Sequence, residues 1–171
     1  MRIKHDFYET PEWQTKALRR RVQIAGTVFE CCVGDGSVAR MFPDCKLVTN
    51  DIDPERAADF HHDAGGEALW NEAPKTDWVV TNPPFNAAMP ILRRAIDHAR
   101  VGVVFLLRLS FMEPTRERGP FLSATPPHRQ IILPRWSYKQ NGQTDCVTTA
   151  WFVWMKSPAP IEIVPLEEKE I

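Results

Sequence analysis

The sequence predicts a doubly wound α/β fold, with a mostly parallel sheet and an antiparallel hairpin at one edge. Short, continuously apolar runs (TVFECCV, KLVTN, WVVT and VGVVFLLRL) alternate with helix-like segments before Phe111. Such runs are typical of parallel strands that are covered on both faces. After Phe111, two strand-like runs, RQIILP and CVTTAWFVWM, flank a turn-rich segment with Asn141-Gly142. This second pattern is typical of a hairpin.

The helices are predicted from apolar spacing and from start signals. TPEWQTKALRRRV has its apolar residues close to helical spacing, and Thr10-Pro11 marks its start. SVARMF is predicted as a short helix, and PERAADFHH as a helix with Pro54 in its first turn. AAMPILRRAIDHAR is predicted as a helix with Pro90 in the first turn or at a kink.

Composition places the chain among globular proteins of one domain. It has 171 residues, of which 43% are hydrophobic and 25% charged, and its net charge is −1. We expect one domain over residues 1–156 and an extended or loosely packed Pro- and Glu-rich tail over 157–171. No apolar run is long enough to cross a membrane, and the N-terminus lacks the apolar core of a secretory signal. We therefore expect a cytoplasmic protein with no membrane partner.

Cysteine spacing and charge distribution limit which metals and macromolecules the chain is expected to bind. Cys31, Cys32, Cys45 and Cys146 show no zinc-binding spacing, so we expect reduced thiols and no metal site. Acidic residues dominate between positions 51 and 77, and basic residues dominate between 86 and 140. The basic half is either a face suited to a polyanion or part of a solvated, mixed surface.

The first motif is FECCVGDGSVA, with Gly34 and Gly36 between a predicted strand and a helix. Glycines there let a ligand approach the backbone, and a helix start offers free N–H groups. A dinucleotide fingerprint would have a third glycine where Ala39 lies. Glu30, four residues before Gly34, suits an ammonium group better than a pyrophosphate. A purely structural turn remains the alternative.

Three acidic residues lie at or after the end of the second predicted strand. Asp51 ends the second predicted strand, where a carboxylate can accept both hydroxyls of a ribose. Asp53 is predicted to cap the helix that begins at Pro54. Asp63 falls where a loop would meet the amino group of an adenine, and the alternative is a surface acid without a ligand.

The stretch TNPPF, after the strand WVVT, indicates chemistry on a conjugated amine. The lone pair of such an amine is delocalised, so an enzyme must grip both N–H bonds to aim it. The side-chain oxygen of Asn82 and the carbonyl of Pro83 are two suitable acceptors. Proline removes backbone donors from the loop, and Phe85 offers a flat surface for a base. The alternative is a double-proline turn with a core phenylalanine.

These motifs, in this order, resemble the S-adenosylmethionine-dependent amino-methyltransferases with an Asn-Pro-Pro-aromatic motif. FYETPEW is similar to the first cofactor segment of that family, whose Thr-Pro lies near the methionine carboxylate. LLRLSFMEPTRERGPF and QTDCVTTAWFVWMK resemble the small adenine methyltransferases of bacteriophages and prophages. The resemblance spans residues 6–156 and implies a Rossmann-like class I methyltransferase sheet in a single catalytic domain.

The resemblance also implies three sets of site residues. The catalytic set is Asn82, Pro83, Pro84 and Phe85. The set that binds S-adenosyl-L-methionine is Phe7, Thr10, Pro11, Glu30, Gly34, Gly36, Asp51, Ile52 and Asp63. The set that binds substrate is Arg108, Phe111, Arg116, Arg118, Arg135 and Lys139.

The function expected from the sequence is methyl transfer to the exocyclic amine of adenine in DNA, with the target base flipped out of the duplex. Alternatives are the same chemistry on RNA adenine, on DNA cytosine or on a protein glutamine, and a non-catalytic binding protein. A nicotinamide-dependent enzyme fits less well, because no second domain holds a substrate. Only 111–128 and 134–145 are candidates for target recognition, so specificity is loose or comes from dimerisation, and monomer and homodimer both stay open.

Overall fold

The computed structural model describes residues 9–135 and 147–166, which form four α-helices and one seven-stranded sheet. The helices are α1 Glu12–Arg19, α2 Ala68–Glu72, α3 Ala88–His98 and α4 Arg118–Ala124. The strands are β1 Thr27–Glu30, β2 Lys46–Thr49, β3 Trp78–Thr81, β4 Gly102–Arg108, β5 Arg129–Ile132, β6 Thr149–Met155 and β7 Glu162–Pro165.

The strand order is β2-β1-β3-β4-β6-β5-β7. Strands β2, β1, β3 and β4 run parallel, so their carboxyl ends meet at one edge of the sheet. The chain moves to one side from β1 to β2 and then crosses to the other side with β3. This reversal leaves a crevice outside the carboxyl ends of β1 and β3, which is where open α/β sheets bind ligands.

Both faces of the sheet are covered, as the apolar runs predict. Neighbouring residues of one strand point to opposite faces, so Val79 packs in one core cluster and Val80 in the other. Helix α3 packs against the first face through Ile91 and Leu92. Helix α1 packs against the second face through Leu18. The doubly wound α/β prediction is confirmed.

The predicted hairpin is present as β5 and β6, which pair antiparallel and join the parallel strands through β4. Its loop, with Asn141-Gly142, lies outside the described residues. Strand β7 pairs parallel with β5 and forms the edge beyond the hairpin. Residues of the predicted tail thus add a strand that the alternation of apolar runs did not predict, since Ile161 and Ile163 are exposed.

The predicted helix over PERAADFHH is wrong. Residues 54–62 form turns and one isolated bridge, in which Phe60 pairs with Asn50. Asp59 accepts hydrogen bonds from the backbone N–H and the hydroxyl of Thr49, at 2.8 and 3.0 Å. These contacts hold the segment along the end of β2, and Asp53 accepts the Glu55 N–H in a tight turn instead of capping a helix.

Other local predictions hold more closely. Helix α1 begins directly after Pro11, and Pro90 lies in the first turn of α3. The short helix predicted in SVARMF is a 3₁₀ turn over Ala39–Met41. Helices α2 and α4 are not among the predicted elements; each is at most seven residues long, too short for a clear apolar period.

Candidate active site

A cavity of about 880 Å³ opens outside the carboxyl ends of β1 and β3. Its wall includes residues from segments that lie far apart in the sequence, from the start of α1 to the start of α3. The residues of the predicted cofactor and catalytic sets that line it are Thr10, Glu30, Gly34, Asp51, Ile52, Asp63, Asn82, Pro83, Pro84 and Phe85.

The glycine turn after β1 needs glycine for its backbone conformation. Gly34 has φ 54° and Gly36 has φ 76°, values in the left-handed region that favours glycine. A side chain at Gly36 would meet no atom within 4 Å, so space is not the constraint there. The Gly34 N–H donates to Asp51 Oδ2 at 2.8 Å, which joins this turn to the end of β2.

Asp51 is held in place through both carboxylate oxygens. Besides the bond from Gly34, its Oδ1 accepts the backbone N–H of Asp53 at 2.9 Å. The side chain faces the cavity beside the half-exposed Ile52. A carboxylate pinned in this way keeps further lone pairs for a ligand with paired hydroxyl groups.

Glu30 is a buried acid that faces the cavity. It is 2% exposed, and among the residues that the structure describes its Oε2 has no hydrogen-bond partner. Burial raises the pKa of this carboxyl well above its usual range. A hydrogen bond with Cys31 and burial also raise the pKa of the neighbouring Cys32 thiol. A cationic ligand in the cavity would satisfy the Glu30 carboxylate.

Asn82 follows β3 and has a fixed side-chain amide. Its Nδ2 donates to Oγ1 of Thr10 at 3.1 Å, which leaves Oδ1 as the acceptor for a ligand. The next two residues are prolines and donate nothing. The turn closes where the Pro84 carbonyl accepts the Ala87 N–H at 3.0 Å, just before α3 begins. The loop therefore presents acceptors to the cavity.

Phe85 lies at the cavity wall, half-buried, with Arg108 over its ring. The guanidinium carbon of Arg108 is 4.6 Å from the ring centroid, a cation–π distance. Arg108 ends β4, the strand next to β3, and its side chain is exposed. Of the predicted substrate set, Arg108 is thus in direct contact with the predicted catalytic loop.

The remaining predicted residues are placed differently. Phe7 and Lys139 lie outside the described residues. Pro11 and Gly36 adjoin the cavity wall without lining it. Arg116 and Arg135 are exposed, and Arg118 donates to the Ser110 carbonyl at 2.9 Å.

Phe111 requires a correction. It is 6% exposed and packs in the core, with its ring centroid 6.1 Å from that of Phe152. Its ring packs against other core residues, so Phe111 is not available to a substrate. The resemblance assigned it to the substrate set, whereas the chain turns inward after β4 as a 3₁₀ turn over Leu109–Met112.

Sequence reasoning missed two residues that organise the site. Ser37 is buried, lines the cavity and accepts the Thr10 N–H at 3.2 Å. Asn50 is also buried; its Nδ2 donates to the carbonyls of Cys31 and His62, and its Oδ1 accepts the His62 N–H. These bonds place Asp63 at the cavity. The available signal for Asn50 was a polar residue directly after an apolar strand.

The residues that the structure describes include neither a metal-binding cluster nor a membrane-spanning helix. No group of three His, Cys, Asp or Glu side chains that could hold a metal ion occurs within residues 9–135 and 147–166. Over the same ranges, no helix has both the length and the apolar character needed to cross a membrane. Cys31, Cys32 and Cys45 carry free thiols, and Cys146 lies outside the described residues.

Comparison with known proteins finds solved structures with a similar fold but no protein or family with a similar sequence. Neither a protein-family model nor a curated protein matches the sequence. The methyltransferase subunit of a type I restriction-modification system from Streptococcus thermophilus superposes with a TM-score of 0.70 at 13% identity, over 92% of this chain and 47% of that one. The fold is that of a class I methyltransferase.

Two further structures share this fold. A protein assigned as a class I S-adenosylmethionine-dependent methyltransferase from Listeria monocytogenes has a TM-score of 0.61 at 11% identity, over 96% of this chain and 66% of that one. The 23S rRNA methyltransferase ErmE has a TM-score of 0.60 at 13% identity, over 96% of this chain and 73% of that one. This chain spans about half the length of the restriction-modification subunit.

Proposed function

We propose that this protein is an S-adenosylmethionine-dependent methyltransferase that methylates the exocyclic amine of adenine in DNA. One observation carries the proposal. The loop Asn82–Phe85, which presents acceptors and an aromatic ring, lies in the wall of the same cavity as the acids Glu30, Asp51 and Asp63. A donor of methyl groups and a planar amine can therefore meet in one cavity.

The chemistry of the cavity fits S-adenosylmethionine. The unpartnered Oε2 of Glu30 suits the ammonium of the methionine part, and Asp51 suits the two ribose hydroxyls. Asp63 suits the adenine amine, and the exposed side chain of Ile52 suits the face of the adenine ring. Thr10, at the start of α1, is the residue we assign to the methionine carboxylate. When bound, this cofactor would supply an activated methyl group on its sulfonium.

The Asn82 loop would prepare the amine for transfer. The Oδ1 of Asn82 and the carbonyl of Pro83 accept its two N–H bonds, which turns the nitrogen lone pair out of conjugation. The lone pair would then be available to take the methyl group that bound S-adenosylmethionine would supply, with the sulfonium sulfur keeping the electrons of the bond it loses. Charge develops on the nitrogen, and the two acceptors stabilise it until the amine releases a proton to solvent.

Phe85 and the arginines near it would hold the target nucleotide. We place the flipped base on the ring face of Phe85 that Arg108 does not cover. Arg108, Arg116, Arg118 and Arg135 would bind phosphates, together with Lys139 from outside the described residues. Arg108 ends β4 and Arg135 follows β5, and both strands are antiparallel to β6, so the two arginines lie at the same edge of the sheet as Asn82.

A second candidate is the same reaction on adenine in RNA. The observation that favours it is the shared fold with a 23S rRNA methyltransferase. Cytosine in DNA and the amide of a protein glutamine are also planar conjugated amines, so they belong in the same test. The basic residues between 86 and 140 favour a nucleic acid over a protein.

The test is to incubate the protein with methyl-labelled S-adenosylmethionine and separate pools of duplex DNA, single-stranded DNA, RNA and protein. Each product is digested and the methylated nucleoside or residue is identified by mass spectrometry. We expect N6-methyladenine in DNA. Label found only in RNA or only in protein would identify that molecule as the substrate instead of DNA. Cofactor binding without label in any pool would indicate a binding protein.

Asn82→Ala is the matched control for this experiment. Loss of one positioned acceptor lowers the transfer rate by about 10²–10³, and cofactor affinity should stay close to that of the wild type. Asp51→Ala should show the opposite pattern, with weaker cofactor binding and recovery of the rate at high cofactor concentration. Transfer by Asn82→Ala at the wild-type rate would mean that TNPPF is only a turn.

A further inference from the structure

Thr10 and Asn82 form a hydrogen bond between segments 72 residues apart in the sequence. Thr10 is 2% exposed, and its own N–H donates to Ser37 Oγ at 3.2 Å. The threonine is therefore held on one side by the glycine turn after β1 and is in contact with the Asn82 loop on the other. Its hydroxyl oxygen accepts from Asn82 Nδ2 at 3.1 Å.

The orientation of the Asn82 amide decides what the loop offers to a substrate. An asparagine amide has nearly the same shape after a half-turn about its last bond, but its oxygen and its NH₂ group exchange places. In the observed orientation the oxygen is left for an incoming amine. In the opposite orientation two N–H groups would face the N–H groups of the substrate, and no acceptor would be present.

We propose that Thr10 is the positioning residue that sets the orientation of the Asn82 amide, and that a bound cofactor strengthens this setting. The inference rests on the proposed function. A hydroxyl can both accept and donate, so it could also donate to the oxygen of a flipped amide. Thr10 lines the cavity, where the cofactor carboxylate is proposed to lie. Once the Thr10 hydroxyl donates its hydrogen bond to that carboxylate, it can only accept a hydrogen bond from Asn82. Asn82 must then turn its NH₂ group towards Thr10.

The first arm of the test compares Thr10→Val and Thr10→Ser in single-turnover methyl transfer at saturating cofactor. Valine keeps the shape of threonine and removes the hydroxyl, and the rate should fall roughly five- to tenfold, the effect of one lost hydrogen bond. Serine keeps the hydroxyl and should restore most of the rate. Thr10→Ala repeats the valine comparison if Thr10→Val does not fold, as judged by circular dichroism.

The second arm repeats the comparison in an Asn82→Asp background. A carboxylate presents an oxygen in either orientation, so Thr10→Val should change the rate by no more than about twofold in that background. An equal loss in both backgrounds would mean that Thr10 acts only on the cofactor or on the fold, and would overturn the proposal. An inactive Asn82→Asp variant would also overturn it, because it would contradict the role of Asn82 as an acceptor.

The two proposals fail in different ways. If the wild-type protein transfers no methyl group, the proposed function fails. If the wild type is active and Thr10→Val in the Asn82 background transfers at the wild-type rate, only the inference about Thr10 fails. Calorimetric titration of each variant with S-adenosylmethionine confirms that the cofactor is saturating in every comparison.

Discussion

At the scale of single residues, Glu30 sets the strongest requirement on a ligand. Its carboxyl group is buried, one oxygen has no partner within the described part of the chain, and burial raises its pKa. The protonated form is therefore favoured when no cation is nearby. Asp51, by contrast, already accepts two backbone N–H groups, one on each carboxylate oxygen.

We predict that cofactor binding releases a proton from Glu30. Because its pKa is raised, Glu30 without a ligand keeps its proton at pH values at which a glutamate is ordinarily ionised. A cationic ligand requires the carboxylate form. Affinity for S-adenosylmethionine should therefore rise with pH until Glu30 ionises without ligand. Calorimetry in two buffers of different ionisation enthalpy counts the released protons.

Glu30→Gln should remove this proton release and weaken binding, and Glu12→Gln, on the exposed face of α1, is the control. The same substitution should raise the melting temperature of the ligand-free protein. An acid whose pKa is raised by folding lowers stability as pH rises above its unfolded value, and glutamine lacks that penalty. Proton release that persists in Glu30→Gln would assign it to another group.

At the scale of elements, Asn50 joins the ends of two strands to the following loop. It lies directly after β2, yet its Nδ2 donates to Cys31 after β1 at 2.8 Å and to His62 at 3.0 Å. Its Oδ1 accepts the His62 N–H at 2.9 Å. One buried side chain therefore sets the distance between the glycine turn and the loop that carries Asp63.

We predict that Asn50→Ala weakens cofactor binding although Asn50 is not assigned a contact with the cofactor. Loss of its hydrogen bonds leaves buried backbone groups without partners and should lower the free energy of unfolding by about 1–3 kcal/mol. Denaturant titration measures that loss, and calorimetry measures the affinity. Asn71→Ala, at an exposed position of α2, is the control. Reduced stability with unchanged affinity would show that the position of the Asp63 loop does not matter for binding.

At the scale of the whole molecule, a histidine is buried in the core on one side of the sheet. His98 ends α3 and is 2% exposed, with its ring centroid 5.5 Å from that of Phe29 and 5.1 Å from that of Trp70. Burial, together with the nearby charge of Lys75, lowers the pKa of His98 to about 4. Folding therefore requires the neutral ring.

We predict that acid destabilises the protein through His98. The unfolded chain binds a proton near pH 6.5, whereas the folded chain does so only near pH 4, so stability is present above pH 6.5 and is lost as pH falls towards 4. The loss should reach about 2–3 kcal/mol between pH 7 and pH 4. Denaturant titrations across this range should show a weaker pH dependence for His98→Leu. His61→Leu, at an exposed position, should keep the wild-type slope.

Local patterns were sufficient for strands β1 to β6 and for the motifs at their ends, but not for β7. β3 and β4 are predictable because each is a nearly continuous run of apolar residues, which is typical of a strand covered on both faces. Gly34 and Gly36 are predictable because few other residues adopt their backbone conformation. The carboxyl ends of parallel strands share one edge, so Asp51 and Asn82 could be expected near each other.

Local sequence therefore predicts the α/β alternation and the residue types at the strand ends, whereas the partners of those residues depend on tertiary packing. The segment 54–62 is turned instead of helical because Asp59 and Phe60 bond to the end of β2. Phe111 is core because the chain after β4 turns inward. Thr10 meets Asn82 because α1 packs beside the parallel strands. Such contacts depend on packing between segments that are distant in the sequence, so local periodicity does not predict them.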